Sequence, residues 1–354
     1  GALSAEQARQ RRRESRELLT RLCNYVNQNG VDLVLLAGDL FDSDTTYRET
    51  LEALSDALGA MQARVFIAPG NHDPYSAKSP YATLAWPENV HVFTSKTVER
   101  VELPELGCAV YGAAFTASVQ DESLLAGFRA PEDDFVHLMV LHGDSSAAES
   151  RYDPLTKEQI KESGIDYLAL GHTHQFGGFL REGQTTYAYS GCPEGRGFDE
   201  LGEKGVYMGE ISKGENRLEF LPTARRMCIY EKIDVTGSET NAAAAEKILA
   251  VLKEKYGENY AENLFKIELT GIADVNTAEI QGRLGALYFV KLRDKTEPPV
   301  NYDELSREIS LKGLFVKNML SRLNAAEKEE KENLKEALKL GLKAFDGEVS
   351  CDEN

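Results

Sequence analysis

Four segments of this chain share one pattern: a short, almost wholly apolar run closed at once by glycine or histidine and then by polar residues. They are VDLVLLAGDLFD (31–42), ARVFIAPGNHD (63–73), VHLMVLHGD (136–144) and IDYLALGHTHQ (165–175). Such runs are too short for helices and lack the alternation of a half-exposed strand. They read as strands covered on both faces. Segments at 5–28, 47–62 and 156–163 carry helical apolar spacing and supply the cover. Shorter strands fit 90–95, 109–115, 185–191 and 205–211. The expected architecture is a layered α/β domain. In open α/β sheets the ligand site gathers at the carboxyl ends of strands, where all four polar clusters fall.

After residue 222 the pattern changes. Strands at 226–235, 263–271 and 286–294 alternate with helices at 239–256 and 277–286, an order that suits a small ferredoxin-like α+β domain. A Pro-containing connector, KTEPPVNYDE (295–304), follows. A helical stretch at 314–323 and a charged helix at 326–345, with Leu334, Leu338, Leu342 and Phe345 on one stripe, end the chain. The expected division is 1–221, 222–300 and 301–354, in keeping with a length of 354 residues.

Composition narrows the function classes. The net charge of −18 argues against a protein that simply coats nucleic acid, which would be basic. If the substrate is a polyanion, bound cations or a local basic patch must attract it. The only dense basic cluster is RQRRRESR (9–16); it reads either as a contact for a DNA backbone or as a solvated helix face. The five cysteines are scattered, odd in number and without a C-x-x-C, which argues against a disulfide framework or a zinc-thiolate site. No apolar run approaches the roughly 18 residues of a membrane span, and no signal peptide is visible, so a cytoplasmic protein with no membrane partner is expected.

The strand-end clusters supply Asp39, Asn71, His72, Asp73, His142, His172 and His174. A carboxylate can bridge two cations, and imidazoles with an amide oxygen suit divalent Mn, Fe or Zn. A mixed O/N set without thiolate points to a hydrolytic centre with open positions rather than a structural zinc site. The i, i+2 spacing in GHTH sends both imidazoles to one side of an extended segment, so each of two neighbouring ions can take one.

G-D-x-x-D, G-N-H-D, a strand-end His-Gly and G-H-x-H, in that order, resemble the signature of calcineurin-like metallophosphoesterases. GDLFD, GNHD, LHGD and GHTH look most similar to those of SbcD-type DNA repair exonucleases. The resemblance implies a four-layer sandwich of two mixed β-sheets flanked by helices, with a small α+β capping domain. It implies two divalent ions, Mn²⁺ by resemblance, with Fe²⁺ or Zn²⁺ also admitted by the ligand types. Asp39 would bridge them, Asn71, His142 and His172 would bind one, and His174 the other. His72 would face the scissile phosphate and assist the leaving group, and Asp73 would hold the His72 ring. The implied activity is phosphodiester hydrolysis at DNA ends in repair. The implied partners are DNA and an SMC-like coiled-coil ATPase, docked through the C-terminal helices; a homodimer is also admitted. The family opens with Asp-x-His on its first strand, and nothing here matches. The chain begins GALSAEQARQRRR, so it is expected to lack roughly one strand and its loop.

Blander readings stand beside these. Asp42 is better taken as a helix cap than a ligand. His91 and His137 lie inside strands and read as structural. Within the Gly-rich segment 190–205, Arg196 could reach a phosphate near the metals, or the segment could be a plain connecting loop; Cys192 is incidental. Two other functions remain: a general metallophosphoesterase acting on nucleotides or phosphoproteins, and a non-catalytic scaffold for the ATPase.

Overall fold

The computed structural model describes residues 3–41, 48–147 and 149–346. Helix α1 (Ala5–Gln28) starts on a capping box. The Ser4 hydroxyl accepts from Gln7 N–H, while the Gln7 side chain accepts from Ser4 N–H. Strands β1 (Leu33–Leu36), β2 (Arg64–Ile67) and β3 (Val90–Val92) form a parallel three-stranded sheet in that order. Helix α2 (Arg48–Gly59) crosses from β1 to β2, and one helical turn, α3 (Pro80–Thr83), precedes β3.

A second sheet has six strands. Its members are β4 (Glu99–Leu103), β5 (Cys108–Gly112), β6 (Val136–His142), β7 (Tyr167–Gly171), β8 (Phe179–Glu182) and β9 (Thr185–Tyr189), in the order β4-β5-β6-β7-β9-β8. The four central strands are parallel and the two edges antiparallel. Helix α4 (Lys157–Glu162), with its own Thr156–Gln159 capping box, connects β6 to β7.

Three apolar layers make this a sandwich. Phe66, Ala68 and Phe93 of the small sheet meet Val110, Leu138, Val140 and Tyr167 of the large one. The outer face of the small sheet, Val65 and Ile67, packs on Cys23 of α1 and on Leu54 and Leu58 of α2. The outer face of the large sheet, Met139, Leu141, Leu168 and Leu170, packs on Ile160 and on Leu124 and Leu125. The α/β sandwich expected from the buried strand pattern is therefore present. The strand expected at 205–211 differs: β10 (Gly205–Ser212) leaves the sheet and pairs antiparallel with β11 (Glu215–Pro222) as a two-stranded ribbon.

Beyond the ribbon, β12 (Cys228–Asp234), α5 (Asn241–Tyr256), β13 (Leu264–Thr270), α6 (Thr277–Arg283) and β14 (Phe289–Asp294) follow the expected β-α-β-α-β order. The ferredoxin-like pairing is not found. All three strands run parallel in the order β12-β13-β14, because each helix is a crossover returning the chain to the same edge. Helices α7 (Tyr302–Leu305), α8 (Leu311–Ala325) and α9 (Lys328–Phe345) end the described chain. The leucine stripe, which reads as a solvated amphipathic face or a docking site for a partner helix, is used internally: Leu334, Leu338 and Leu342 pack on Val316 and Met319 of α8.

One arginine of the basic stretch of α1 is likewise engaged, while Arg13 and Arg16 stay largely exposed. Arg11 Nη1 reaches Glu194 at 2.6 Å. Glu14, buried on the same helix, accepts from Arg226 at 2.7 Å, and that guanidinium lies 3.7 Å above the Tyr288 ring. A paired buried carboxylate thus fastens α1 to the second unit. Among the described residues, no helix is long and apolar enough to cross a membrane.

Candidate metal centre

The ends of β1, β2, β6 and β7 meet where the two sheets converge. β1 leads into Gly38-Asp39, β2 into Gly70-Asn71-His72-Asp73, β6 ends on His142, and β7 ends on Gly171 before His172 and His174. The approach is close enough to demand glycine. A Cβ on Gly38 would stand 2.7 Å from His142 Nδ1 and 2.8 Å from Gly70 Cα, and one on Gly171 would run into the Ala37 carbonyl oxygen. Asp39 (φ 52°) and His172 (φ 95°) hold positive-φ backbone that few non-glycine residues adopt. Such strain persists only where the surroundings over-determine it, as they do at functional sites.

His142 is buried, its side chain fully so. Its Nδ1 lies 2.8 Å from the Ala37 carbonyl oxygen, which can only accept, so Nδ1 carries the proton. Burial first, with the neighbouring imidazoles adding to it, pushes the ring down to about 4, so it is neutral at physiological pH. Nε2 is then a bare lone pair. It faces Asn71 Oδ1 at 2.8 Å and Asp39 Oδ2 at 3.3 Å. Asn71 Oδ1 in turn lies 3.3 Å from His172 Nδ1. Turning the Asn71 amide over would let it donate to His142, but the Asp39 carboxylate would still confront the same lone pair. Acceptors facing acceptors are repulsive unless a cation lies between them. These four residues therefore fit a divalent ion. Among the described residues, no three His, Cys, Asp or Glu side chains close on one point without help; the Asn71 amide oxygen joins His172 to the other two.

His174 stands apart from this group. Its side chain is 54% exposed, and its Nδ1 lies 2.7 Å from Glu200 Oε1. His72 is exposed at the rim, and its backbone N–H donates to Asp39 Oδ1 at 2.9 Å.

Asp73 corrects the expectation. Its carboxylate does not hold the His72 ring. Oδ1 accepts from Gly70 N–H and Asp39 N–H, and Oδ2 from Phe41 N–H and the Tyr81 hydroxyl. Burial pushes this carboxyl up to about 6, against the pull of those donors. Asp73 is the staple that fixes the Gly38–Phe41 loop to the Gly70–Asp73 loop. Asp42 lies outside the described residues.

Residues 12–176 match the family model described as calcineurin-like phosphoesterase. That segment is similar to calcineurin-like phosphoesterase domains. The family binds divalent metals, in keeping with the donor set around His142. Two relatives, both of Bacillus subtilis (strain 168), agree with the assignment. One is named uncharacterized metallophosphoesterase YhaO; it is 30% identical, over 62% of this chain and 55% of its own. The other is a subunit of the nuclease SbcCD, 24% identical over 59% of this chain and 63% of its own. The chain thus spans between half and two thirds of the length of these relatives.

Several residues of this site escape a motif reading. Tyr189, on β9, donates its hydroxyl to the Gly143 carbonyl at 2.9 Å and accepts from Ser145 N–H at 2.8 Å, steadying the turn after His142. The Tyr152 ring lies 4.9 Å from that of His172. Glu200 and Lys204, both buried, grip the GHTH segment; Lys204 Nζ donates to the His174 carbonyl at 3.0 Å. Arg196 sits in the same loop as Glu200, its N–H donating to Glu200 Oε2 at 2.6 Å. The Cys192 thiol is pushed up to about 11, by burial above all, and its hydrogen turns to the His174 carbonyl; a protonated thiol is no nucleophile. His91 meets Phe93 edge-to-face and His137 meets the Tyr111 hydroxyl at 3.2 Å, structural roles for both. Only the position of 190–205, one strand after GHTH, hinted that this loop belonged to the site.

Proposed function

We propose that this chain is a metal-dependent phosphodiester hydrolase acting on DNA ends in repair, in the cytoplasm and together with an SMC-like ATPase. The observation that carries the hydrolytic part is the set of mutually facing acceptors at Asp39, Asn71 and His142, with His172 Nδ1 3.3 Å from the Asn71 amide oxygen. Similarity to a nuclease subunit supports the DNA part. Asp39, Asn71, His142 and His172 would hold one ion, and Asp39 with His174 would contribute to a second; Mn²⁺ is the ion proposed. Bound there, divalent cations would neutralise the phosphate oxygens and ease attack at phosphorus.

The chain's own residues do the rest. His72, exposed and anchored through its backbone N–H to Asp39, would face the open side of the site. From there its ring donates a proton to the leaving oxygen or a hydrogen bond to the charged phosphate. Asp73 holds the two loops in register and touches no substrate. Arg196, in the neighbouring loop, is the candidate contact for a flanking phosphate. The exposed Ile309, Leu311 and Leu314 at the start of α8 offer apolar surface for the ATPase partner.

The test compares Mn²⁺-dependent cleavage of linear duplex DNA with that of a chromogenic phosphodiester. Cleavage of both supports the nuclease. Cleavage of the small ester alone leaves a general phosphoesterase acting on nucleotides or phosphoproteins. His72→Ala should abolish turnover while Mn²⁺ content stays near that of the parent, whereas His172→Ala should lower Mn²⁺ content itself. Loss of the metal on His72→Ala with the fold intact would refute the assignment of roles.

A further inference from the structure

We infer that Glu200 is a positioning residue for His174: its buried carboxylate fixes the imidazole as the Nδ1–H tautomer and presents Nε2 to the metal. The metal rests on the phosphoesterase reading; the tautomer needs no metal at all. Glu200 is 7% exposed, whereas the His174 side chain is 54% exposed. The exposed ring is thus held by a partner that is not itself free to wander. Glu200 Oε1 lies 2.7 Å from His174 Nδ1, and Oε2 accepts the Arg196 N–H at 2.6 Å. A carboxylate only accepts, so Nδ1 must donate, and in the neutral ring Nε2 keeps its lone pair. In free imidazole the proton prefers Nε2, so without Glu200 the ring would present the wrong nitrogen in its major form.

The loop bearing Glu200 is built to hold this position. Lys204, 2% exposed, donates from Nζ to the His174 carbonyl at 3.0 Å and to Gln175 Oε1 at 2.8 Å. Cys192 N–H reaches the same carbonyl at 3.3 Å. At the loop's other side, Arg11 of α1 pairs with Glu194 at 2.6 Å and also donates to the Gly195 carbonyl. Ring and carboxylate are therefore both fixed to the frame. Carboxylates behind a ligating imidazole commonly play this part, and losing one typically weakens metal binding about ten- to a hundred-fold.

The test starts with metal-free protein labelled with ¹⁵N in its histidines. Long-range ¹H–¹⁵N spectra read each ring's tautomer, with His174 identified by the resonance that His174→Gln removes. The wild type should show His174 as Nδ1–H, and Glu200→Ala should move it to Nε2–H with an unchanged circular dichroism spectrum. Calorimetric titration with Mn²⁺ should then show binding about ten- to a hundred-fold weaker in Glu200→Ala. A wild-type His174 already in the Nε2–H form overturns the inference, even if the variant does not fold. So does an unaltered tautomer in a folded Glu200→Ala. A tautomer shift in a protein that binds no Mn²⁺ upholds the positioning role and refutes the metallohydrolase reading instead.

Discussion

His142 and His174 end neighbouring strands of one sheet, yet the molecule orients them by opposite means. The Nδ1 of His142 is held by a backbone carbonyl, that of Ala37, inside the sandwich core. The Nδ1 of His174 is held by a side chain, Glu200, on a ring that is half in solvent. The first arrangement is a consequence of the fold: once β1, β2, β6 and β7 align, Ala37, Asp39, Asn71 and His142 have nowhere else to go. The second is an addition to the fold, made by a loop that could be altered without disturbing either sheet. The contrast teaches that one site can contain ligands whose loss unravels the protein and ligands whose loss only empties a position.

The sharpest test of that contrast is Asp73→Ala on the buried side. It strands the N–H groups of Asp39, Phe41 and Gly70, of which the last two are buried. At about 1–3 kcal/mol for each unpaired buried donor, denaturant unfolding should show a loss of about 3 kcal/mol or more. A loss below about 1 kcal/mol would mean the strand-end loops hold together without the staple. Gly171→Ala comes next. Its methyl would press on the Ala37 carbonyl oxygen, and an overpacked, rigid contact of this kind should cost about 1–3 kcal/mol, read as a lower unfolding midpoint.

Asp153 gives the third test, through pH. It is fully buried at φ 51°, its Oδ1 accepts the Leu124 N–H at 2.6 Å, and its Oδ2 is buried without a partner against Gly143. Burial pushes its carboxyl up to about 7 from the usual 3.8. The folded state thus keeps a proton that the unfolded chain gives up. Its contribution is fully present below about pH 4 and is lost as pH rises through about 7. In that window Asp153's own share of stability should fall by about 1.4 kcal/mol per pH unit, and Asp153→Asn should remove that share, leaving those of Asp73 and His142. A slope unchanged in Asp153→Asn would assign the pH dependence elsewhere. The smallest expected effect lies on the exposed side. His174→Ala should leave unfolding within about 0.5 kcal/mol of the parent while weakening Mn²⁺ binding. A loss of stability matching that of the buried corner would erase the distinction between the two histidines.

Much of this is legible in the residues. Runs such as VFIA and LMVL can only be strands covered on both faces, and glycines directly after them mark where strands end and backbones crowd together. That is enough for the sandwich and for the meeting of Asp39, Asn71, His142 and His172. The role of Asp73 is not legible, because adjacency in Asn-His-Asp suggests a partnership between neighbours. The side chain instead points into the core, where three loop N–H groups and the Tyr81 hydroxyl need an acceptor. The leucine stripe of α9 is a packing face, as its spacing implies, and it packs on α8. The ferredoxin-like pairing does not form because a helix separates each strand from the next, and such crossovers make all three strands parallel.

The sequence by itself determined which side chains could carry chemistry and at which strand ends they stand, since apolar periodicity and glycine placement are local properties of the chain. Only the tertiary structure decided how each imbalance of proton donors and acceptors is resolved. Ala37 orients His142, Glu200 orients His174, and Asp73 staples loops from β1 and β2, because these partners lie 26 to 105 residues apart or point away from their own neighbours. Hydrogen bonds of that reach are set by where the sheets bring the chain together, and no spacing along the chain encodes them.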